Sequence, residues 1–181
     1  MSNSMWKASY KIYLLVILNI LIVAGYFIYD VATKPKYGYV DIKVAFDQFQ
    51  LKKDLESKYL VITNERKKVL DSLYIELEKF SNELNSTKDP SKEKIIAFNK
   101  QKDEFYTKSK HFEEDNSALS NKYDSEIINQ LNQYVKDYGE LYSYTFIFGN
   151  NMDGSIMQAR EQNNVTEEIV AFINDRYNGK K

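Results

Sequence analysis

The sequence predicts an α+β fold: an N-terminal transmembrane helix, then a long antiparallel helical hairpin standing on a small β-sheet body. Three observations carry this. From Phe46 to Tyr142 apolar residues recur at helical spacing, interrupted once at Asn85–Ser91. Two such helices joined by a short turn must fold back on each other to bury their stripes. Short aromatic and β-branched segments stand before and after this region, and an apolar run stands near the N-terminus.

Composition narrows the function. The chain has 181 residues and a net charge of -1, without the basic excess of a nucleic-acid binder. Of its 25 basic and 26 acidic residues, Lys7, Lys11, Lys34, Lys36 and Asp30 lie in the first 36, leaving residues 37–181 at -4. It has no cysteine, hence no disulfide, thiolate metal site or lipid-acylation site. Two prolines and six glycines favour long uninterrupted elements.

Residues 1–11 form a short tail. Residues 12–29 are an apolar run in which Asn19 is the sole amide and no residue is charged. Eighteen helical residues span ~27 Å, close to a bilayer core. Trp6, Tyr10 and Tyr13 flank one end, and Tyr26 and Tyr29 the other, as interfacial aromatics do. An uncleaved anchor is favoured over a signal peptide, because the run is long and no small-x-small cleavage site follows it. Lysines on both sides leave its orientation open.

Residues 30–36 are a polar linker. Tyr37–Asp41 reads as one strand, with Asp41 as N-cap of the next helix. That first long helix runs from about Ile42 to Leu84. Its seam is Leu55, Tyr59, Ile62, Arg66, Val69, Leu73, Leu77, Phe80 and Leu84, with a stutter between Leu73 and Leu77. Asp89 and Pro90 suit the cap and first position of the second helix. The return seam is Ile95, Phe98, Lys102, Phe105, Ser109, Phe112, Asn116, Leu119, Tyr123, Ile127, Leu131, Tyr134 and Tyr138. Lys102, Ser109 and Asn116 weaken its distal half, predicting a flexible tip and a firm base.

Gly139 marks the end of this helix. Tyr142–Phe148 reads as a strand, Gly149–Gly154 as a turn and Ser155–Ala159 as a return strand. Glu167–Tyr177 is a last helix, capped by Thr166. The expected division is a body of residues 37–45 and 139–181 and a hairpin of residues 46–138. Three short strands and one helix bury little, so the body needs symmetric copies.

This order of elements resembles the Skp/OmpH family of periplasmic chaperones. The resemblance rests on Gly38-Tyr39-Val40-Asp41 opening a long helix, Phe46 to Phe49, Tyr144-Thr145-Phe146-Ile147-Phe148-Gly149, Ile156-Met157, and Val165-Thr166-Glu167-Glu168-Ile169. It implies a homotrimer in which a β body holds three helical arms around unfolded outer-membrane β-barrel proteins. Tyr39, Val40, Phe46, Phe49, Tyr144, Phe146 and Phe148 would then form the body core and subunit contacts. It also implies a cytoplasmic N-terminus and a single inner-membrane pass, with the C-terminal domain in the periplasm. The tether and the acidic balance depart from the family pattern.

Catalytic chemistry is not apparent. His111 is the sole histidine, so one chain offers neither a histidine metal cluster nor a Ser-His-Asp arrangement. Glu113-Glu114-Asp115 fan out around a helix, and Asn150–Gly154 lacks the spacing of a calcium loop. No cofactor is expected. The expected function is a membrane-tethered holdase. A trimeric coiled-coil scaffold or adaptor subunit of an envelope complex is the alternative.

Overall fold

A computed structural model describes residues 2–151 and 154–180, without the side chains of residues 2–12 and 31–32. α1 is Ser2–Thr33, and its apolar window Tyr13–Asp30 lies wholly outside the core. The side chains of Trp6 and Tyr10 lie outside the described set. β1 is Tyr37–Asp41, and Asp41 caps α2 (Ile42–Gln48) by accepting from the Val44 N–H at 3.0 Å. α3 is Gln50–Ser86 and α4 is Lys92–Leu141. β2 is Phe146–Asn150 and α5 is Thr166–Tyr177.

The first long helix is therefore two helices, broken at Phe49. Phe49 is extended (φ -70°, ψ 126°) and fully buried, edge-on to Tyr134 and Tyr177. The broken backbone is satisfied from α5: Gln50 N–H donates to Asn174 Oδ1 at 2.7 Å, and Asn174 Nδ2 donates to the Gln48 carbonyl at 3.1 Å. Lys52 Nζ also reaches across the break to Asp47 at 2.8 Å. Burying one phenylalanine at the kink lets α2 close the body while α3 leaves it.

At the tip the second helix starts later than its sequence suggests. Ser91 is the N-cap, accepting from the Lys94 N–H, and Asp89-Pro90 belong to the turn. At the base α4 continues past Gly139 to Leu141. Ser143 then adopts a left-handed conformation (φ 56°) that redirects the chain, and Tyr144 N–H closes on the Gly139 carbonyl at 2.9 Å. This turn delays the strand, so β2 starts at Phe146 rather than Tyr142.

β1 and β2 pair in parallel, Tyr37 opposite Phe146 and Asp41 opposite Asn150. The crossover between them is the whole helical hairpin, because parallel neighbours cannot be joined by a tight turn. The expected return strand is absent among the described residues: 155–159 are not extended into a ladder. Asn164 instead bridges β1 at Tyr39, whose carbonyl accepts from the Val165 N–H at 2.9 Å. Of the proposed turn Gly149–Gly154, Met152 and Asp153 lie outside the described residues.

One core lies at the base. α5 packs into the junction of β1, α2, α3 and α4 with Ile169 and Ile173 fully buried, joined by Val40, Ala45, Phe49, Leu55, Ile127 and Leu131. Thr166 does more than open α5. Its hydroxyl accepts from the Asp41 N–H at 2.9 Å and donates to Asn164 Oδ1 at 2.6 Å, pinning α5 to the end of β1. Gly38 is required by close approach, since a Cβ there would sit 3.0 Å from the Tyr144 ring.

Candidate functional site

Two surfaces are candidates: the aromatic face of the sheet and the arm formed by α3 and α4. Of the seven aromatic and aliphatic body residues singled out from sequence, Val40 and Phe49 are fully buried, and Phe46 and Tyr144 pack against the core. Tyr39 is half-buried, its hydroxyl donating to Glu161 at 3.3 Å. Phe146 and Phe148 are 57% and 49% exposed. They stack on each other at 5.9 Å, and Tyr37, itself 47% exposed, stacks on Phe146 at 6.1 Å. The small sheet thus shows solvent a row of three stacked rings.

The arm is zipped unevenly. Between Leu55 on α3 and Ile127 on α4 no described side chain is fully buried. Phe80 and Phe98 meet edge-on at 5.7 Å near the tip, and Tyr74 lies against Phe105 at 6.1 Å. Tyr74 and Tyr106 flank this contact exposed, as do Ile75 and Ile96 elsewhere on the arm.

The seam differs from its sequence reading at two places. Leu70 faces α4 while Val69 is exposed, so the two successive steps of four fall at Ile62, Arg66 and Leu70. On α4 Gln101 is half-buried and Lys102 exposed. Asn116 is not a loose polar gap. Arg66 donates to Asn116 Oδ1 across the hairpin, approaches Asp115 at 3.4 Å and lies 5.6 Å over the Phe112 ring. A cleft opens beside this layer, lined by Thr63, Arg66, Leu70, Ser109, Phe112 and Asn116. Periodicity located the seam, but the partner of Arg66 is a property of the hairpin register.

The acidic run and the histidine dissolve into surface contacts. Asp115 turns to Arg66, Glu114 to Lys110 at 3.8 Å, and exposed His111 lies 3.9 Å from Glu114. Perturbed titrations belong to the base. Burial, reinforced by Tyr144 and Glu168, pushes Tyr138 up to about 12. Asp54 is held below the usual carboxylate range by hydrogen bonds from Tyr177 (2.7 Å) and Gln50 (2.8 Å). Both groups are held by contacts within the base, so both read as structural.

Comparison with known proteins gives this fold a family. The profile of a family described as outer membrane protein (OmpH-like) matches residues 36–173, well over half of the chain. The chain belongs to the OmpH-like family. Among solved structures, one described as an OmpH-like outer membrane chaperone, from Caulobacter crescentus, superposes with a TM-score of 0.59. The match covers 80% of this chain and 86% of that one at 14% identity, which speaks to fold alone. No curated protein matches in sequence. The family match begins at Lys36 and so excludes the apolar helix.

Proposed function

We propose that this OmpH-like protein is a membrane-tethered periplasmic holdase that encloses unfolded outer-membrane β-barrel proteins between helical arms. The observation that carries it is the arm itself. A hairpin with no fully buried side chain over its distal length, and with Tyr74, Ile75, Ile96 and Tyr106 exposed, offers many weak apolar contacts. An unfolded chain has many dispersed apolar segments, and contacts of this kind hold it without selecting a sequence. Arg66, Ser109 and Asn116 border the mid-arm cleft, and splaying there would require the Arg66–Asn116 hydrogen bond to open. Lys102, on the exposed side, adds solubility rather than looseness.

Enclosure needs more than one arm. The exposed Tyr37–Phe146–Phe148 row is the surface by which a homotrimer would form, because apolar rings on a two-stranded sheet gain most from a second copy. By analogy with the periplasmic family it resembles, a spanning α1 would leave the N-terminus in the cytoplasm and the body and arms in the periplasm. The acidic balance favours apolar capture over electrostatic capture.

The fragment 37–181 keeps every residue of the buried core and tests the reading directly. Diluting an unfolded outer-membrane barrel protein into it should suppress light scattering, with saturation near three protomers per client. Unsuppressed aggregation by a folded trimer would exclude the holdase and leave the scaffold, a subunit with one fixed envelope partner.

A further inference from the structure

Leu141 ends α4 and Tyr142 caps it with 60% and 48% of their surface exposed, although the centre of the Tyr142 ring lies 4.6 Å from that of the core residue Tyr138. They lie where the anchor enters the body. Three contacts fix that entry. Thr145 N–H donates to the Lys36 carbonyl at 2.8 Å, Lys36 Nζ donates to the Tyr142 carbonyl at 3.4 Å, and the ammonium sits 3.9 Å over the Tyr144 ring. The Tyr142 carbonyl terminates α4, where the helix dipole favours a cation.

The apolar window ends at Asp30 and α1 at Thr33, so only Lys34 and Pro35 separate the helix from the fixed Lys36. Three extended residues reach ~10 Å at most, and the last turn of α1 adds ~5 Å. The headgroup layer beyond a bilayer's hydrocarbon core is itself ~5–8 Å deep. An apolar and aromatic pair flanked by lysines is the composition of that layer.

We propose that the Leu141–Tyr142 end of α4 rests in the lipid headgroup layer, and that the arm therefore projects away from the bilayer. This rests on α1 spanning the membrane. α4 runs from Lys92 at the tip to Leu141 beside Lys36, so its 50 residues carry the tip ~75 Å from the lipid-facing end. The arm has no continuous apolar stripe with which to lie flat: at heptad spacing on α3, Lys67 separates Leu60 from Tyr74, and Lys68 separates Val61 from Ile75.

The chain has no cysteine, so single exposed positions can be labelled in the full-length protein. Leu141→Cys, Lys88→Cys at the tip and Ile20→Cys in the span would each carry an environment-sensitive fluorophore. The protein is placed in phosphatidylcholine–phosphatidylglycerol vesicles containing lipids spin-labelled at the headgroup or in the acyl chain. The expected result is blue-shifted Leu141 emission quenched by headgroup labels, with the Lys88 label quenched by aqueous iodide alone. Iodide-only quenching at Leu141, with the Ile20 label still quenched by acyl spin labels, would refute the proposal and leave the tether standing. Shielding of Leu141 from both quenchers would place it between copies and refute it also. Lipid quenching at Lys88 would overturn the arm direction. An Ile20 label untouched by lipid quenchers would remove the tether and the proposal with it.

Discussion

Leu55 and Leu131 sit in the same helical hairpin as Leu77 and Phe98, yet the first pair is fully buried and the second only half-covered. At the base α5, β1 and α2 wrap the hairpin and remove water from all sides. Beyond Tyr59 and Tyr123 each helix has one neighbour, and two helices cover only one stripe of each other. The contrast shows that a heptad seam alone does not make a core. Burial follows from how many elements converge, and the chain concentrates them where the arm must be held.

Truncations sharpen that contrast most. Leu131→Ala should cost about 2–5 kcal/mol in chemical denaturation, because the surrounding elements cannot collapse into the cavity. Leu77→Ala in the arm should cost well under half of that, since its half-exposed site is already open to water. Equal losses would mean that the arm is as tightly packed as the base.

The mid-arm layer comes next. Asn116→Leu alone leaves Arg66 only its 3.4 Å hydrogen bond to Asp115 and should destabilise the arm, whereas Arg66→Leu with Asn116→Leu should stabilise it by about 1–3 kcal/mol. Hydrogen exchange along α3 would report both. The double change should also reduce capture of large clients if the arms must splay there.

At the base, Asn174→Leu leaves the Gln48 carbonyl and Gln50 N–H unpaired and should cost about 1–3 kcal/mol. Ser143→Gly should stabilise by roughly 0.5–1 kcal/mol, since glycine accepts the left-handed backbone that serine holds there.

Alkaline pH should act on the base. Tyr138 and Tyr177 have folded-state values raised above the ordinary tyrosine value of 10.0, so their contribution is complete below that pH and lost as pH climbs through the folded values, about 12 for Tyr138. Melting between pH 9 and pH 12 should therefore fall for the base, and Tyr138→Phe should flatten the decline.

The long-range plan was legible because it rests on repetition. The apolar run of α1, the paired seams, the Asp41 cap and the periodic face of α5 each depend on residues near one another in the chain. What escaped depends on partners far away. Nothing around Phe49 forbids helix; the break exists because Asn174 and two aromatic rings receive it. The seam chose Leu70 over Val69 in the register where Arg66 meets Asn116. Ser155–Ala159 has strand-like residues, but the free edge of β1 is taken at Asn164. The exposed Phe146–Phe148 row was placed on its strand correctly, while its availability to a second copy is a matter of the sheet having only two members among the described residues.

The parallel pairing of Tyr37 with Phe146 also governs the order of assembly. These residues are separated by about a hundred others, a costly loop for a free chain to close. The hairpin shortens that search, because its local turns can zip first and return the second strand to the first. A chain emerging N-terminus first nonetheless holds β1, α2 and Phe49 uncovered until α5 arrives at its far end. The body is therefore the last part to mature, and until α5 arrives the chain carries an unfinished core that is open to water.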